Sequence, residues 1–421
     1  MNYHDHPCFS KGARHHAGRI HLPVAPACNM QCNYCNRDFE CVNESRPGVS
    51  STILLPWQAA NYLDEVMDRI KNLAVVGIAG PGDPFANSAE TLETLHLVRE
   101  RHPEMMLCVA TNGLALADYV DELADLKVSH ITVTVNAVDP AIAEKIYAWA
   151  RLKSKVYRGA DAARVILEKQ QEAIRRLKAK GITVKINIVI IPGINDHHVV
   201  EIARQMADMK ADIFNAIPMY HVAGTPFADI APLAHEKVER LRKAAGLYLP
   251  QMSHCSRCRA DAAGMIGEKQ NDEIMDLLRK ASLPHQSPER PYVAVASMEG
   301  FFVNQHLGEA AGLWIFGMRD GKIVLMERRS TPPPGGGPER WDVMSRLLRD
   351  CNTVLASGIG PSPLAILEHS GVNVVVMEGL AKEGVEATLT GKAIPKILLV
   401  KLAIAALASN AAGMARGADN Q

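Results

Sequence analysis

From residue 20 to about 246, short β-branched runs alternate with longer stretches whose apolar residues recur at helical spacing, the pattern of repeated βα units on a parallel sheet. Strands are predicted at Ile20–Pro26, Ala74–Gly80, Met106–Thr111, His130–Val135, Val184–Ile191 and Asp212–Met219, with helices near 56–72, 88–102, 117–126, 162–180, 197–209 and 235–246. Six such units predict an α/β fold built on a partial (β/α)6 barrel, with its site at the C-terminal ends of the strands as in a complete barrel. The stretch Lys280–Pro291 holds three prolines and little apolar content, which marks a linker. Beyond it Tyr292–Ser297 and Gly312–Met318 read as strands and Pro332–Gly337 as a loop. A helix over 339–350, a strand Thr353–Ala356, a helix near 363–370 and a strand Val372–Met377 follow, completing a second, smaller α/β domain. The predicted organisation is therefore a barrel domain at 1–279 with extensions at both ends, a linker at 280–291 and a small domain at 292–421. The apolar run Ile394–Ala408 contains Lys396 and Lys401, is too short to span a bilayer, and reads as a C-terminal helix.

Composition narrows the function classes. Lys+Arg and Asp+Glu each total 46 in 421 residues, so there is no electrostatic footprint for nucleic acid or an anionic membrane, and neither is expected as a partner. The nine cysteines are an odd number crowded toward the start, and no charged-then-apolar leader opens the chain. That usage fits a reducing, cytoplasmic setting, where clustered thiols serve as metal ligands more often than as disulfides.

Cys28, Cys32 and Cys35 stand at CxxxCxxC spacing directly after the first predicted strand. A 4Fe-4S cluster has four iron corners usually held by thiolates, so three cysteines on one loop leave one iron open to a substrate. A zinc knuckle would normally close four ligands with paired CxxC or Cys/His sets, and no fourth ligand lies in this loop. With Tyr34 before the last cysteine, the motif resembles the radical S-adenosylmethionine (SAM) enzymes. The resemblance implies that the open iron chelates the amino and carboxylate groups of SAM, and that an electron then splits its S–C bond to release a 5'-deoxyadenosyl radical. It also assigns the segment Gly77–Pro84, with Gly80, Gly82 and Asp83, to the SAM amino group, although an ordinary βα turn uses the same residue types. Asn112, Asn136 and Asn187 fall at or near strand ends, where polar side chains suit the SAM carboxylate or ribose; Asn112-Gly113 reads equally as a turn. Arg46 suits an anionic cluster or the SAM carboxylate, or else a surface salt bridge.

Two further clusters would need more ligands than one CxxC supplies, and His6, Cys8, Cys41, Cys108, Cys255 and Cys258 provide six; Cys351 reads as a buried apolar thiol. The segments HPCFSKGARHHAGRIHLPVAPACNMQCNYCNRDFECVNESRPG, GPGDPFAN, ATNG, NIVIIPGIND and Cys255–Asp261 together resemble the NifB family, which builds the iron-sulfur core of nitrogenase cofactors. The resemblance implies three 4Fe-4S clusters, one SAM-binding on Cys28, Cys32 and Cys35, and two substrate clusters. These are fused, with a carbide from a SAM methyl group, into the eight-iron precursor of the FeMo cofactor. One substrate cluster is placed on His6, Cys41 and Cys108 and the other on Cys8, Cys255 and Cys258. His6 and Cys8 are interchangeable, and both lie on a terminal segment that must fold back over the barrel. Glu44 is either a proton-transfer or transient cluster-holding group beside the catalytic triplet, or a solvated loop carboxylate. The segments SMEGFFVNQHLGEAAGLWIF and LASGIGPSPLAILEHSGVNVVV resemble the NifX-type domain, of ribonuclease H-like fold, which implies a cofactor-binding or partner-recruiting module. There the turn Ser357–Pro361 offers backbone amides to an anion and His306 is the candidate metal contact. Implied partners are cluster donors, cofactor carriers, maturation scaffold proteins and a reductant such as ferredoxin or flavodoxin. The competing class is an iron-sulfur scaffold or carrier without SAM chemistry.

Overall fold

The computed structural model describes residues 6–10, 12–37, 41, 52–252, 254–255, 258–268, 271–282, 290–335, 337–391, 394 and 398. Glu44, Arg46, most of the expected linker and nearly all of the expected helix within 394–408 lie outside these described residues. The chain divides into two compact units, Met1–Ser282 and Leu283–Gln421.

In the first unit the strands Gly18–His21, Leu73–Ile78, Met106–Thr111, Val128–Thr134, Thr183–Ile190 and Ile213–Pro218 pair in parallel in chain order, and helices pack on them to give the predicted partial barrel. The strand Val128–Thr134 is buried along its whole length, as β-branched runs covered on both faces are. Helix Gly159–Ala179 buries Ala162, Ala163, Ile166, Leu167, Gln170, Ala173, Ile174 and Leu177, a stripe at helical spacing. A short antiparallel strand, Ala263–Gly264, closes onto the first strand and carries the Cys255–Asp261 segment to the barrel edge.

The first strand ends at His21 rather than Pro26, because Pro23 and Pro26 have no N–H to give to a ladder. Residues 22–27 nonetheless run beside the glycine-rich loop: Ala25 bridges Pro81, Gly82 N–H donates to Ala25 O (2.6 Å) and Asp83 N–H to Ala27 O (2.8 Å). A β-hairpin that the sequence pattern did not indicate, Tyr147–Leu152 with Lys155–Arg158, pairs with the strand Met30–Cys32 in a separate three-stranded sheet. Its turn has no Gly or Asn; Lys153 takes the left-handed conformation (φ 56°) in their place, so the usual turn signal is missing.

The second unit carries a five-stranded sheet in the order Lys322–Ser330, Gly312–Arg319, Tyr292–Ala296, Cys351–Ala356 and Asn373–Val376. The first three of these pair antiparallel and the rest parallel, which is the expected ribonuclease H-like arrangement. Cys351 is fully buried there. Strand Lys322–Ser330, half exposed and rich in charge, and helix Ala381–Thr390 escaped the sequence pattern. Gly384 lies within that helix, where a Cβ would come within 2.5 Å of Met377 Sδ and 2.7 Å of Leu355 Cδ1. Among the described residues no helix is long and apolar enough to cross a membrane.

Candidate metal centre

The cysteine triplet lies just beyond the first strand, on a loop held from several sides. Met30–Cys32 pairs with the hairpin, Asn33 N–H donates to Ile146 O (2.8 Å), and Gln31 Nε2 donates to the carbonyls of both Cys32 and Cys35. Tyr34 is fully buried and its hydroxyl accepts from Asn136 Nδ2 (2.7 Å), while Asn136 Oδ1 accepts from Val189 N–H (2.9 Å). The aromatic residue of the motif is thus tied to the fifth barrel strand. Asn187, also buried, accepts from Asn215 Nδ2 (3.1 Å). Both asparagines knit the barrel together; they and Gly80 line neither of the two cavities described next.

Cys28, Cys32, Cys35 and Cys41 line a cavity of about 470 Å³ with Arg37, Gly82, Asp83 and Asn112. Asn112 Nδ2 bonds Asn29 Oδ1 (2.7 Å) and sits 3.8 Å from Cys28 Sγ. Asp83 is buried, and its carboxylate accepts from Thr111 Oγ1 (2.8 Å), Asn112 N–H (2.7 Å) and Phe85 N–H (3.0 Å). It therefore fixes the strand end that presents Asn112. Gln170 does the same from behind, donating to the carbonyls of Asn112 (2.7 Å) and Thr134 (2.9 Å). Gly113 (φ 83°) is required beside it, since a Cβ would meet Val133 Cγ1 at 2.8 Å.

A second cavity, of about 590 Å³, shares Ala79 and Ala110 with the first and is lined by His6, Cys8, Cys108, Cys255 and Cys258. It takes residues from earlier along the strands: Arg19 and His21, Gly77, Cys108, Thr132 and Lys185. Barrel interiors are ordinarily filled by bulky branched side chains; here Gly77, Ala79, Ala110 and Thr132 leave room. The terminal segment does fold back. His6 packs on His130 (ring centroids 4.5 Å apart), Phe9 packs on the same ring (4.4 Å), and His254 Nε2 meets Pro7 O at 2.9 Å. On the other side Arg19 donates to Cys258 Sγ (2.9 Å) and to the Gly264 carbonyl, and Arg259 forms a two-pronged pair with the fully buried Asp261 (2.8 and 2.9 Å), which shapes the turn after the CxxC. Five of the six additional ligand candidates thus share one cavity, and Cys41 lies across the shared wall with the triplet.

Burial pushes the Cys28 thiol up to about 11 and raises Cys8, Cys32 and Cys35 as well. These four thiols are therefore protonated until a metal displaces the protons. Burial, helped by His130 and Lys185, holds His6 well below the usual imidazole value, so it is neutral. Its Nδ1 accepts from Cys8 N–H (3.1 Å) and its buried Nε2 has no hydrogen-bond partner among the described residues. With Nδ1 accepting, the ring proton sits on Nε2, and ligation there requires that proton to move. Among the described residues no three His, Cys, Asp or Glu side chains close on a point suited to a single metal ion. The second cavity carries two cations, Arg19 and Lys185, and no carboxylate. Soft sulfur and imidazole donors with neighbouring cations fit anionic iron-sulfur clusters. Sequence reasoning missed Arg19, Arg37, Lys185, Gln170 and His254, which carry no motif and are placed only by the fold.

Residues 22–206 match the radical SAM superfamily, and residues 289–391 match the family described as dinitrogenase iron-molybdenum cofactor. The chain is 50% identical over its full length and over the full length of a relative named FeMo cofactor biosynthesis protein NifB from Chlorobaculum tepidum. A relative of the same name from Klebsiella pneumoniae is 41% identical over 88% of this chain and 86% of its own.

Proposed function

Because the chain belongs to the NifB family and is a radical SAM enzyme of FeMo cofactor biosynthesis, we propose that it joins two 4Fe-4S substrate clusters, with a carbon from a SAM methyl group, into an eight-iron cofactor precursor. When bound, a cluster on Cys28, Cys32 and Cys35 together with SAM supplies one-electron cleavage to a 5'-deoxyadenosyl radical. The chain's own residues do the rest. Asn112, held by Asp83 and Gln170, presents its side chain beside Cys28, where it orients a polar ligand. The close pairing of residues 25–27 with the glycine-rich loop fixes Cys28 against that ligand's site. The apolar packing of Met30, Tyr34, Tyr147, Ile166 and Val189 excludes water from behind the loop.

The observation that carries this reading is the pair of adjoining cavities, one rimmed by the triplet and the other by His6, Cys8, Cys108, Cys255 and Cys258, with only alanine side chains common to both. Substrate held by Cys41 from one side and Cys108 from the other lies at that common wall, next to where the radical is generated. Cys8, Cys255 and Cys258 then hold the second substrate, and Arg19 and Lys185 offset the negative charge of both. Imidazole from His6 is a weaker ligand than thiolate, which suits cargo that must depart. Anaerobic reconstitution is expected to give about twelve irons per chain, from three four-iron clusters, and 5'-deoxyadenosine on reduction with SAM. A plateau near four irons would remove the two substrate sites. Iron loading without 5'-deoxyadenosine would instead favour a scaffold or carrier.

A further inference from the structure

The hairpin that the sequence pattern missed carries charge of one sign only. Residues 145–158 contain Lys145, Arg151, Lys153, Lys155 and Arg158 and no Asp or Glu, in a chain whose net charge is zero. All five cations are exposed, and among the described residues none forms an ion pair. Glu144 precedes the run, and Asp161 after it is paired with Arg164. Two of the five are held in place by rings: Arg151 lies 5.9 Å from the Trp149 ring and Lys155 4.7 Å from the Tyr157 ring. Val156, 42% exposed, places apolar surface among them. A cleft beside the tip is lined by Lys153, Lys155, Tyr157 and Lys169, with Asp118 as its acid.

This surface is hydrogen-bonded to the cluster loop itself. Cys32 lies opposite Tyr147, Gln31 opposite Trp149 and Met30 opposite Ala150; Arg151 N–H donates to Asn29 O (2.7 Å), and Asn33 Nδ2 donates to Lys145 O (2.9 Å). From Tyr147, beside Cys32, the strand reaches the basic tip over about 20 Å, at roughly 3.3 Å per residue. A protein seated along the hairpin therefore lies against the strand that is hydrogen-bonded directly to Met30–Cys32.

We propose that the hairpin 145–158 is the docking surface for a small acidic one-electron carrier protein that reduces the cluster on Cys28, Cys32 and Cys35. The inference rests on the triplet holding a SAM cluster, as argued above. One electron leaves the reduced carrier and enters the cluster, and the carrier departs oxidised by one electron. Exposed cations steer an acidic partner and orient it, raising the association rate at low salt more than the affinity at high salt.

The test uses full-length, anaerobically reconstituted protein and compares two reductants, a reduced acidic flavodoxin and dithionite. For Lys153→Gln/Lys155→Gln, flavodoxin-driven 5'-deoxyadenosine formation at low salt is expected to fall about tenfold. Flavodoxin affinity, read by titration calorimetry, is expected to fall with it, while the dithionite-driven rate stays unchanged. Lys153→Arg/Lys155→Arg is expected to restore both. The wild-type flavodoxin rate should drop steeply with added salt and that of the Gln variant should not. Equal flavodoxin affinity and rate in wild type and the Gln variant would overturn the proposal. Should the dithionite rate also fall in the Gln variant, flavodoxin affinity decides alone. Failure of wild type even with dithionite would instead strike the assignment of the triplet.

Discussion

Gly82→Ala isolates the close approach on which the position of Cys28 depends. A Cβ at residue 82 would stand 2.0 Å from Ala27 O, 2.6 Å from the Ala27 carbonyl carbon and 2.8 Å from Pro26 O. These are backbone atoms one and two residues before Cys28, so no side chain can swing away to make room. Restoring ordinary contact needs a shift of more than about 1 Å, and overpacking of this kind costs about 1–3 kcal/mol. The Gly82–Ala25 and Asp83–Ala27 hydrogen bonds stretch in the same movement, at about 1 kcal/mol each. A destabilisation of about 3–5 kcal/mol of the first unit is expected, together with loss of the iron bound by the triplet. Chemical denaturation of the metal-free protein measures the first, and iron and sulfide counts after anaerobic reconstitution measure the second. Gly12→Ala is the control, because its nearest neighbour, Ser10 Oγ, lies at 3.8 Å; its effect should stay within about 0.5 kcal/mol. If the two alanine variants unfold together and load iron equally, the argument from close approach is refuted.

Five other outcomes can be checked. Cys28→Ala is expected to abolish 5'-deoxyadenosine formation yet retain iron in the second cavity, whereas Cys255→Ala should spare SAM cleavage and lower iron by about four per chain, as read by product chromatography and iron assay. Lys185→Met removes a buried cation from a cavity without carboxylates; it should weaken iron retention there and leave the triplet's iron intact, which spin quantitation of the separate clusters would reveal. In the second unit Arg329 donates to Asp350 (2.6 and 2.7 Å) and to Glu327, so Arg329→Met is expected to cost that unit about 1–3 kcal/mol in a denaturant titration. That bond to Arg329 holds the Asp350 carboxyl below its ordinary value of 3.8, so the contribution is present above pH 3.8 and lost as pH falls below it. The wild-type second unit should show this acid sensitivity more strongly than the variant.

The parallel barrel was legible because its strands are continuous β-branched runs and its helices keep strict apolar spacing, as in Val128–Thr134 and Gly159–Ala179. The triplet was legible because thiols at fixed spacing have few other uses. What the sequence did not disclose is long-range. Lys185 and Arg19 look like ordinary strand cations until the curl of the sheet turns them inward. The hydrogen bonds of the Asp83 carboxylate to Thr111, Phe85 and Asn112 likewise appear only in the fold. The hairpin stayed hidden because its turn uses Lys153 rather than Gly or Asn, and because its partner strand, Met30–Cys32, is only three residues long. The division of the candidate ligands between two cavities, with Cys41 apart from Cys108, is likewise a product of folding.

Carbon tracing tests the proposed joining of two clusters around a SAM-derived carbon. Reconstituted protein is incubated under reductant with SAM carrying a carbon-13 methyl group, and the iron-sulfur product is isolated and examined by pulsed electron-nuclear resonance for carbon coupled to iron. Label is expected inside the product of the wild-type chain and none in Cys28→Ala. An iron-sulfur product that forms without the label, or that forms equally in Cys28→Ala, would contradict that proposal.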